Sequence, residues 1–126
     1  MYRFIVLVTA LFGGSAMAHQ FTPAYPKLVP SYVREVWKAD MNLLNMRQDV
    51  EYFEFGVFDK DWEGIPFALS GNRIVRIKYL ERKDINVFIK REDVDRVQYI
   101  CSKSKIVAGQ TVQITSVSSR ICSKVQ

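Results

Sequence analysis

The sequence predicts an all-β protein that folds as a single immunoglobulin-like antiparallel β-sandwich of about seven strands. Apolar and polar residues alternate in several short segments, and turn-forming residues separate those segments. The chain has 126 residues, of which 48% are hydrophobic and 25% are charged, so it has the material for one globular domain. The sequence shows no internal repeat of about 20–50 residues, which would indicate a propeller or a solenoid.

Residues 1–18 predict a cleaved signal peptide, and residues 19–126 then form the immunoglobulin-like domain. Arg3 gives a positive start, residues 4–12 are apolar, and Ala18 ends an Ala-Met-Ala cleavage site. The alternative is an uncleaved anchor, but the apolar stretch is shorter than the roughly 18 residues of a spanning helix. We therefore expect a periplasmic or secreted protein with no stable membrane span after cleavage.

Two segments open the predicted domain. Residues 21–30 contain three prolines, which cannot donate hydrogen bonds within a sheet, so this segment is expected at a sheet edge. Residues 33–45 fit two patterns. An alternation that includes Trp37 and Met41 indicates a half-buried strand, whereas a helical stripe could begin after Ser31. We predict the strand.

Three more segments predict strands, because they alternate and are rich in aromatic and β-branched residues. Residues 50–58, with Phe53, Phe55 and Val57 on one face, are expected to form a central strand. Residues 74–79 and 84–90 are expected to form the next two strands. Turns are predicted at residues 59–64, 70–72 and 81–84, with a short extended piece at residues 65–67.

The C-terminal part predicts two further strands. Residues 90–93 are charged and indicate a solvent-exposed connection, which leads to a strand with Val97, Tyr99 and Cys101 at alternate positions. Residues 110–117 then form the last predicted strand.

Val112 and Ile114 on the last predicted strand are candidate contacts for a partner strand. An exposed sheet edge presents unpaired N–H and C=O groups, which an added strand can satisfy while its alternate side chains enter apolar pockets. The alternative is that these two side chains simply close the protein's own sheet.

Cys101 and Cys122 are expected to form a structural disulfide, because an exported protein meets an oxidising compartment. A zinc site would need two further ligands, and the only histidine is His19 at the expected mature N-terminus. We therefore predict no metal and no cofactor.

Catalytic chemistry is not expected. His19 is predicted to lie on a frayed chain end, where a catalytic base could not be held in place. The acidic residues of the 59–64 segment, with Gly64 in sixth position, partly match a calcium-binding loop. The twelfth position is Ser70, which lacks the bidentate carboxylate, so we predict a charged turn instead.

The order of these features resembles the N-terminal immunoglobulin-like domain of periplasmic pilus chaperones, over residues 21–122. The resemblance lies in a proline-bearing edge, an aromatic strand that enters a charged turn, and the segments at residues 83–89 and 97–101. It implies a disulfide between the last two strands, as in the long-loop subfamily. The family also holds a subunit's terminal carboxylate with an Arg of the first strand and a Lys of the last, and Arg34 and Lys124 have that chemistry. No residues of this sequence correspond to the family's second immunoglobulin-like domain.

Basic residues are frequent after Arg73, and the sequence has a net charge of +5. Arg76, Lys78 and Lys124 belong to this group, and together with Arg34 they are candidate contacts for an anionic partner. The alternative is ordinary solubility, because acidic residues are interleaved with the basic ones. A nucleic-acid partner is not expected for an exported protein.

The function predicted from the sequence is that of an exported, non-enzymatic module that binds a protein partner in the cell envelope. A chaperone-like or accessory role in secretion, conjugation or pilus assembly fits the resemblance. The alternative is a surface structural or adhesin-like protein, including one encoded by a phage, that binds a glycan.

Overall fold

A computed structural model describes residues 19–105 and 118–126 of the chain, and the described residues form two antiparallel sheets. The predicted all-β sandwich of immunoglobulin type is therefore confirmed. The expected signal peptide at residues 1–18, Val112 and Ile114 lie outside the described residues. The strands are β1 Gln20–Thr22, β2 Val29–Pro30, β3 Val36–Leu44, β4 Tyr52–Phe58, β5 Ala68–Leu69, β6 Ile74–Arg76, β7 Arg82–Lys90, β8 Tyr99–Lys105 and β9 Arg120–Lys124, and a 3₁₀ helix spans Arg91–Arg96.

The first sheet has the strand order β1-β3-β7-β5, with β2 also paired to β3, and the second has the order β6-β4-β8-β9. β3 and β7 pair along nine positions, from Val36 opposite Lys90 to Leu44 opposite Arg82. We call the end where β3 begins the upper end of the sandwich, and the end where β3 finishes the lower end.

The 3₁₀ helix joins the upper end of β7 to the beginning of β8. Tyr99 and its partner on β9, Lys124, therefore also lie at the upper end. Tyr52 and its partner on β8, Lys105, lie at the lower end.

The core lies between the sheets and takes alternate residues from each strand. Ala39, Met41 and Leu43 of β3 are buried, whereas Asp40 between them is exposed. Residues 33–45 thus contain the predicted strand and not the alternative helix. Strands fit here because every second side chain is apolar, so one face of the sheet can be covered completely.

β4 supplies the aromatic part of the core. Phe53, Phe55 and Val57 are buried as predicted, and β4 lies between β6 and β8, so the expected central position is confirmed. Full burial of a side chain of this size contributes about 1.5–3 kcal/mol to stability.

The predicted turn at residues 81–84 is wrong, and the predicted strand at residues 74–79 is too long. The chain turns at residues 78–81, where the Glu81 N–H donates to the Lys78 carbonyl at 2.9 Å. β6 therefore ends at Arg76 and β7 begins at Arg82.

Asn45 explains why the chain turns at residues 78–81 and not at residues 81–84. Its fully buried side chain makes hydrogen bonds with the backbone just after Asn45 and just before this turn. The Asn45 amide donates to the carbonyl oxygens of Val50 at 2.7 Å and Ile77 at 2.8 Å, and its side-chain oxygen accepts from the Arg47 N–H at 2.8 Å. Its backbone also exchanges hydrogen bonds with the 78–81 turn. The contacts of Asn45 with Ile77 and with the 78–81 turn join residues more than 30 positions apart, so local alternation carries no signal of them.

The faces of β8 follow from its register with β4. Ile100, Ser102 and Ser104 face the opposite sheet, and Cys101 lies on the outer face. Two serines thus take core positions, which apolar alternation in the sequence does not show. Of the connection predicted as solvent-exposed at residues 90–93, Lys90 ends β7 and the rest begins the 3₁₀ helix. Residues 90–92 are exposed as predicted, whereas Asp93 is buried and accepts a hydrogen bond from Arg96 at 2.6 Å.

Candidate functional site

The predicted disulfide between Cys101 and Cys122 is present, with an S–S distance of 2.06 Å. The two cysteines lie directly opposite each other in the β8–β9 register. Among the strands that the structure describes, β9 is the last of the second sheet and its neighbour there is β8. The bond therefore fastens an edge strand to the middle of the sheet.

The N-terminal segment covers part of the outer edge of β9. The Lys124 N–H donates to the Ala24 carbonyl at 3.0 Å, and the Gln126 N–H donates to the Pro26 carbonyl at 3.0 Å. The N-terminal segment and the C-terminal segment each advance by two residues between these bonds, so the N-terminal segment runs parallel to β9 towards the upper end. Beyond Pro26 it continues into β2 and the turn before β3.

Exposed apolar side chains are concentrated along this segment. Tyr25 is 64% exposed, Val29 38%, Tyr32 104% and Val33 61%. Of the eight large apolar side chains that are exposed in the described part of the chain, these four lie within residues 25–33. We call the surface formed by Tyr25, Lys27, Val29, Tyr32, Val33, Arg34 and Lys124 the N-terminal face.

The turn that carries Tyr32 and Val33 is held in shape by Ser31. The Ser31 hydroxyl accepts from the Val33 N–H at 3.1 Å and donates to the Val36 carbonyl at 2.7 Å. Glu35 adopts a positive φ of 62° and its carbonyl accepts from the Arg91 N–H at 2.9 Å. The fully exposed side chain of Tyr32 therefore lies on an ordered turn, and this order lowers the entropic cost of binding a partner.

The structure brings two of the candidate cations to this face. Arg34 lies in the exposed turn before β3, and Lys124 ends β9 beside the N-terminal segment. Neither side chain makes an ion pair with a carboxylate in the described ranges. Both charges therefore remain available to an anionic group.

The other two candidate cations lie at the lower end, away from the N-terminal face. Arg76 on β6 forms an ion pair with Glu51 at 3.0 Å, and this hydrogen bond raises the pKa of the Arg76 guanidinium. Lys78 lies in the 78–81 turn, where its N–H donates to the Glu81 carboxylate at 3.2 Å. The four predicted anion contacts thus form two separate groups.

His19 is not on a frayed end, which corrects the prediction. It is 2% exposed, and its ring nitrogens lie 2.7 Å from the Ser102 hydroxyl and 3.1 Å from the Ser119 hydroxyl. Burial, followed by the positive charge of Arg47, lowers the pKa of His19 to about 4, although a hydrogen bond with Ser102 acts in the opposite direction. The Phe53 ring packs edge-on against the imidazole at 4.8 Å. This neutral, enclosed imidazole is part of the packing of the domain.

A second surface that the sequence did not reveal lies on the outer face of the second sheet. Trp62 stacks on Tyr99 with ring centres 4.1 Å apart, and the Arg120 guanidinium lies 5.0 Å from the Trp62 ring and 4.8 Å from the Phe58 ring. Gly56 makes room for this layer, since a Cβ there would lie 2.8 Å from the Phe58 ring. The aromatic rings thus contact each other and Arg120, and they fasten the 59–64 turn to the sheet.

The 59–64 turn uses the carboxylate of Asp59 internally. One oxygen of the Asp59 carboxylate accepts hydrogen bonds from the N–H groups of Asp61 at 2.8 Å and Glu63 at 3.0 Å. Within residues 19–105 and 118–126, no group of three or more His, Cys, Asp or Glu side chains is placed to hold a metal ion. No helix in these same ranges has the length and apolar character needed to cross a membrane.

The comparisons with known proteins bear on the fold. The sequence matches no protein-family model and no curated protein. Among solved structures, the chain is similar to the E. coli chaperone DraB, with a TM-score of 0.60 over 86% of this chain and 12% sequence identity. The likeness is one of fold. The match covers 53% of the DraB chain, so this protein spans about half the length of that chaperone.

Proposed function

We propose that this protein is an exported, non-enzymatic binding module that contacts a protein partner in the cell envelope through the N-terminal face. The observation that carries the proposal is the concentration of exposed apolar side chains within residues 25–33, beside the edge strand β9. A concentration of large apolar side chains that stay in water is typical of a protein interaction site.

The composition of the N-terminal face fits a protein partner. Tyr25 and Tyr32 each offer a large, stiff aromatic surface, and tyrosine is enriched among the residues that dominate binding energy. Arg34 and Lys124 border this apolar surface and complement a partner that carries carboxylates. Val112 and Ile114 belong to the same proposal as partner-strand contacts, since their segment leads into β9.

The fold supports a chaperone-like or accessory role in envelope secretion, conjugation or pilus assembly. The chain shares the architecture of a solved chaperone, and its disulfide suits an oxidising compartment such as the periplasm. The expected signal peptide at residues 1–18 points to the same location.

The test is retrieval of the tagged protein from periplasmic extract of its native host. We expect a protein partner in a fixed molar ratio with the tagged protein. The double substitution Tyr32→Ser with Val33→Ser should abolish its retention. The matched control is Tyr79→Ser with Leu80→Ser, which also removes an exposed tyrosine and its aliphatic neighbour, but at the lower end.

Three results would contradict the proposal. Equal loss of the partner in both double variants would place the contact elsewhere. Retention of the protein on a glycan surface, with no protein partner, would favour the adhesin-like alternative. Recovery of the protein in the cytoplasmic fraction with residues 1–18 still attached would contradict export.

A further inference from the structure

The chain changes sheets between β5 and β6. β5 pairs with β7 in the first sheet, and after residues 70–73 the chain pairs as β6 with β4 in the second. Because β5 pairs with only part of β7 and β6 with only part of β4, the remaining part of each of these edges has no strand from this crossing segment beside it. The upper half of β4 and the lower half of β7 are the two edges concerned.

The open edge of β4 is closed by its own chain. The Ile65 N–H donates to the Val57 carbonyl at 2.8 Å, and the Phe55 N–H donates to the Arg73 carbonyl at 3.4 Å. A further bridge joins Phe58 to the residue before Ile65. This edge therefore has few backbone groups left for another strand.

The open edge of β7 is not closed in this way. β7 pairs with β3 along its whole length but with β5 only at Val87 and Phe88. Over the chain as described, residues 82–86 have no strand partner on the β5 side. Alternate N–H and C=O groups of such an edge point outward and can pair with an added strand.

A groove of about 320 Å³ runs along this edge, between residues 83–86 and β6. Its lining includes the half-buried Leu69 and Val75 and the buried Ile85, and Ile74 at its border is 38% exposed. An extended peptide that pairs with β7 could place every second side chain against this apolar lining.

The border of the groove is basic. Arg76 and Lys83 line it, and the Lys83 ammonium donates to the Arg76 carbonyl at 3.3 Å across the groove. Arg73 lies at one end, over the Phe67 ring at 4.8 Å. Asp84, the acidic residue of the lining, accepts a hydrogen bond from Asn42 of β3 at 2.8 Å. Arg76 is already paired with Glu51 at 3.0 Å, whereas Lys83 has no carboxylate partner among the described residues, so Lys83 is the charge that favours acidic side chains on a bound segment.

We propose that residues 82–86 of β7 accept an extended segment of a partner protein, with alternating apolar and acidic side chains, as an added strand in line with β5. Backbone pairing supplies affinity, the groove selects the apolar side chains, and Lys83 selects the acidic ones. The site goes beyond the proposed function, because it lies at the lower end and shares no residue with the N-terminal face.

The test is a nuclear magnetic resonance titration of the ¹⁵N-labelled protein, residues 19–126. The probe is a capped hexapeptide of alternating valine and glutamate, and the control peptide alternates valine and lysine. We expect the valine-glutamate peptide to shift the amide signals of residues 82–86 and to slow the hydrogen exchange of those amides that point away from β3. Lys83→Glu should weaken binding about fivefold, as expected for reversal of one exposed charge contact. Lys60→Glu, the same change in the distant 59–64 turn, should leave binding unchanged.

Four results would overturn the proposal. The first is no shift at millimolar peptide, and the second is equal shifts with both peptides. The third is slow exchange, in the free protein, of those amides of residues 82–86 that point away from β3, which would show that the chain covers its own edge. The fourth is a dependence of the same signals on protein concentration, which would indicate pairing between two copies. Each of them leaves the Tyr32 test of the N-terminal face unaffected, so the two proposals fail separately.

Discussion

Two exposed turns flank β3 and differ in how the protein holds them. The turn before β3 carries Tyr32 and Val33 at the upper end, and the 78–81 turn carries Tyr79 and Leu80 at the lower end. Each presents an exposed tyrosine beside an exposed aliphatic residue. A sequence pattern would treat the two pairs alike.

The 78–81 turn is fixed from inside the domain, because Asn45 binds it through its backbone and holds nearby carbonyls with a buried amide. The turn before β3 is held by the Ser31 hydroxyl near the surface, and further exposed apolar residues adjoin it. The comparison indicates that the 78–81 turn contributes to the stability of the fold, whereas the turn before β3 presents exposed apolar side chains to a partner. Four changes test this difference.

The largest effect is expected from Asn45→Ala. The substitution leaves the buried carbonyls of Val50 and Ile77 without their donors and should lower the free energy of unfolding by about 4 kcal/mol. Urea denaturation measures it, and Asn72→Ala in the exposed 70–72 turn is the matched control, with an expected loss of less than about 0.5 kcal/mol. A loss below about 1 kcal/mol for Asn45→Ala would remove the distinction between the turns.

Removal of the disulfide by Cys101→Ala with Cys122→Ala should cost about 3 kcal/mol, the value expected for a loop of 21 residues. Because β9 supports the N-terminal segment, the upper end should loosen more than the lower one. Hydrogen exchange checks this: the amides of Lys124 and Gln126 should exchange faster relative to that of Leu80. Equal acceleration at both ends would argue against a separate support for the N-terminal face.

Acid should weaken the domain through His19. Its pKa in the folded protein, about 4, lies below the value of 6.5 for an unperturbed histidine, so the unfolded chain binds the proton more readily. The stability contributed by neutral His19 is complete above pH 6.5 and is lost as the pH falls towards 4, by about 3 kcal/mol. Unfolding curves between these pH values for the wild type and His19→Gln check this, since the variant lacks the titrating group. Parallel pH profiles for the two proteins would contradict the burial of His19.

The smallest effect on stability is expected from Ser31→Ala. The hydroxyl serves a solvent-exposed turn, so its loss should cost about 1 kcal/mol or less in urea denaturation. Binding of the partner should weaken more than stability does, because Tyr32 and Val33 lose their ordered presentation. Ser118→Ala, which removes another hydroxyl bound to a backbone carbonyl, is the control. Unchanged partner binding in Ser31→Ala would show that the order of this turn does not matter.

Local alternation predicted what depends on neighbours in sequence. The strand within residues 33–45, the buried face of β4 and the pairing of Cys101 with Cys122 all follow from period and compartment, and the structure contains them. The 78–81 turn depends on Asn45, more than 30 residues earlier, and the burial of His19 depends on Ser102, 83 residues later. Hydrogen bonds of this kind do not alter the alternation of apolar and polar residues, so the sequence pattern does not show them.

The candidate site residues stay a prediction. Arg34 and Lys124, named from the family resemblance, both lie at the upper end, whereas Arg76 and Lys78 lie at the lower end. The exposed residues of the N-terminal segment were missed, because a period-two pattern does not show which apolar positions remain uncovered. Exposure depends on what packs above each strand, and that is a property of the whole fold.

Photo-crosslinking in living cells tests the N-terminal face most directly. A photoreactive phenylalanine analogue replaces Tyr32 in one strain and Tyr79 in another, and both proteins are expressed in the native host. The account predicts a discrete adduct with an envelope protein from position 32 and none from position 79. The same adducts from both positions, or no protein adduct from position 32, would contradict it.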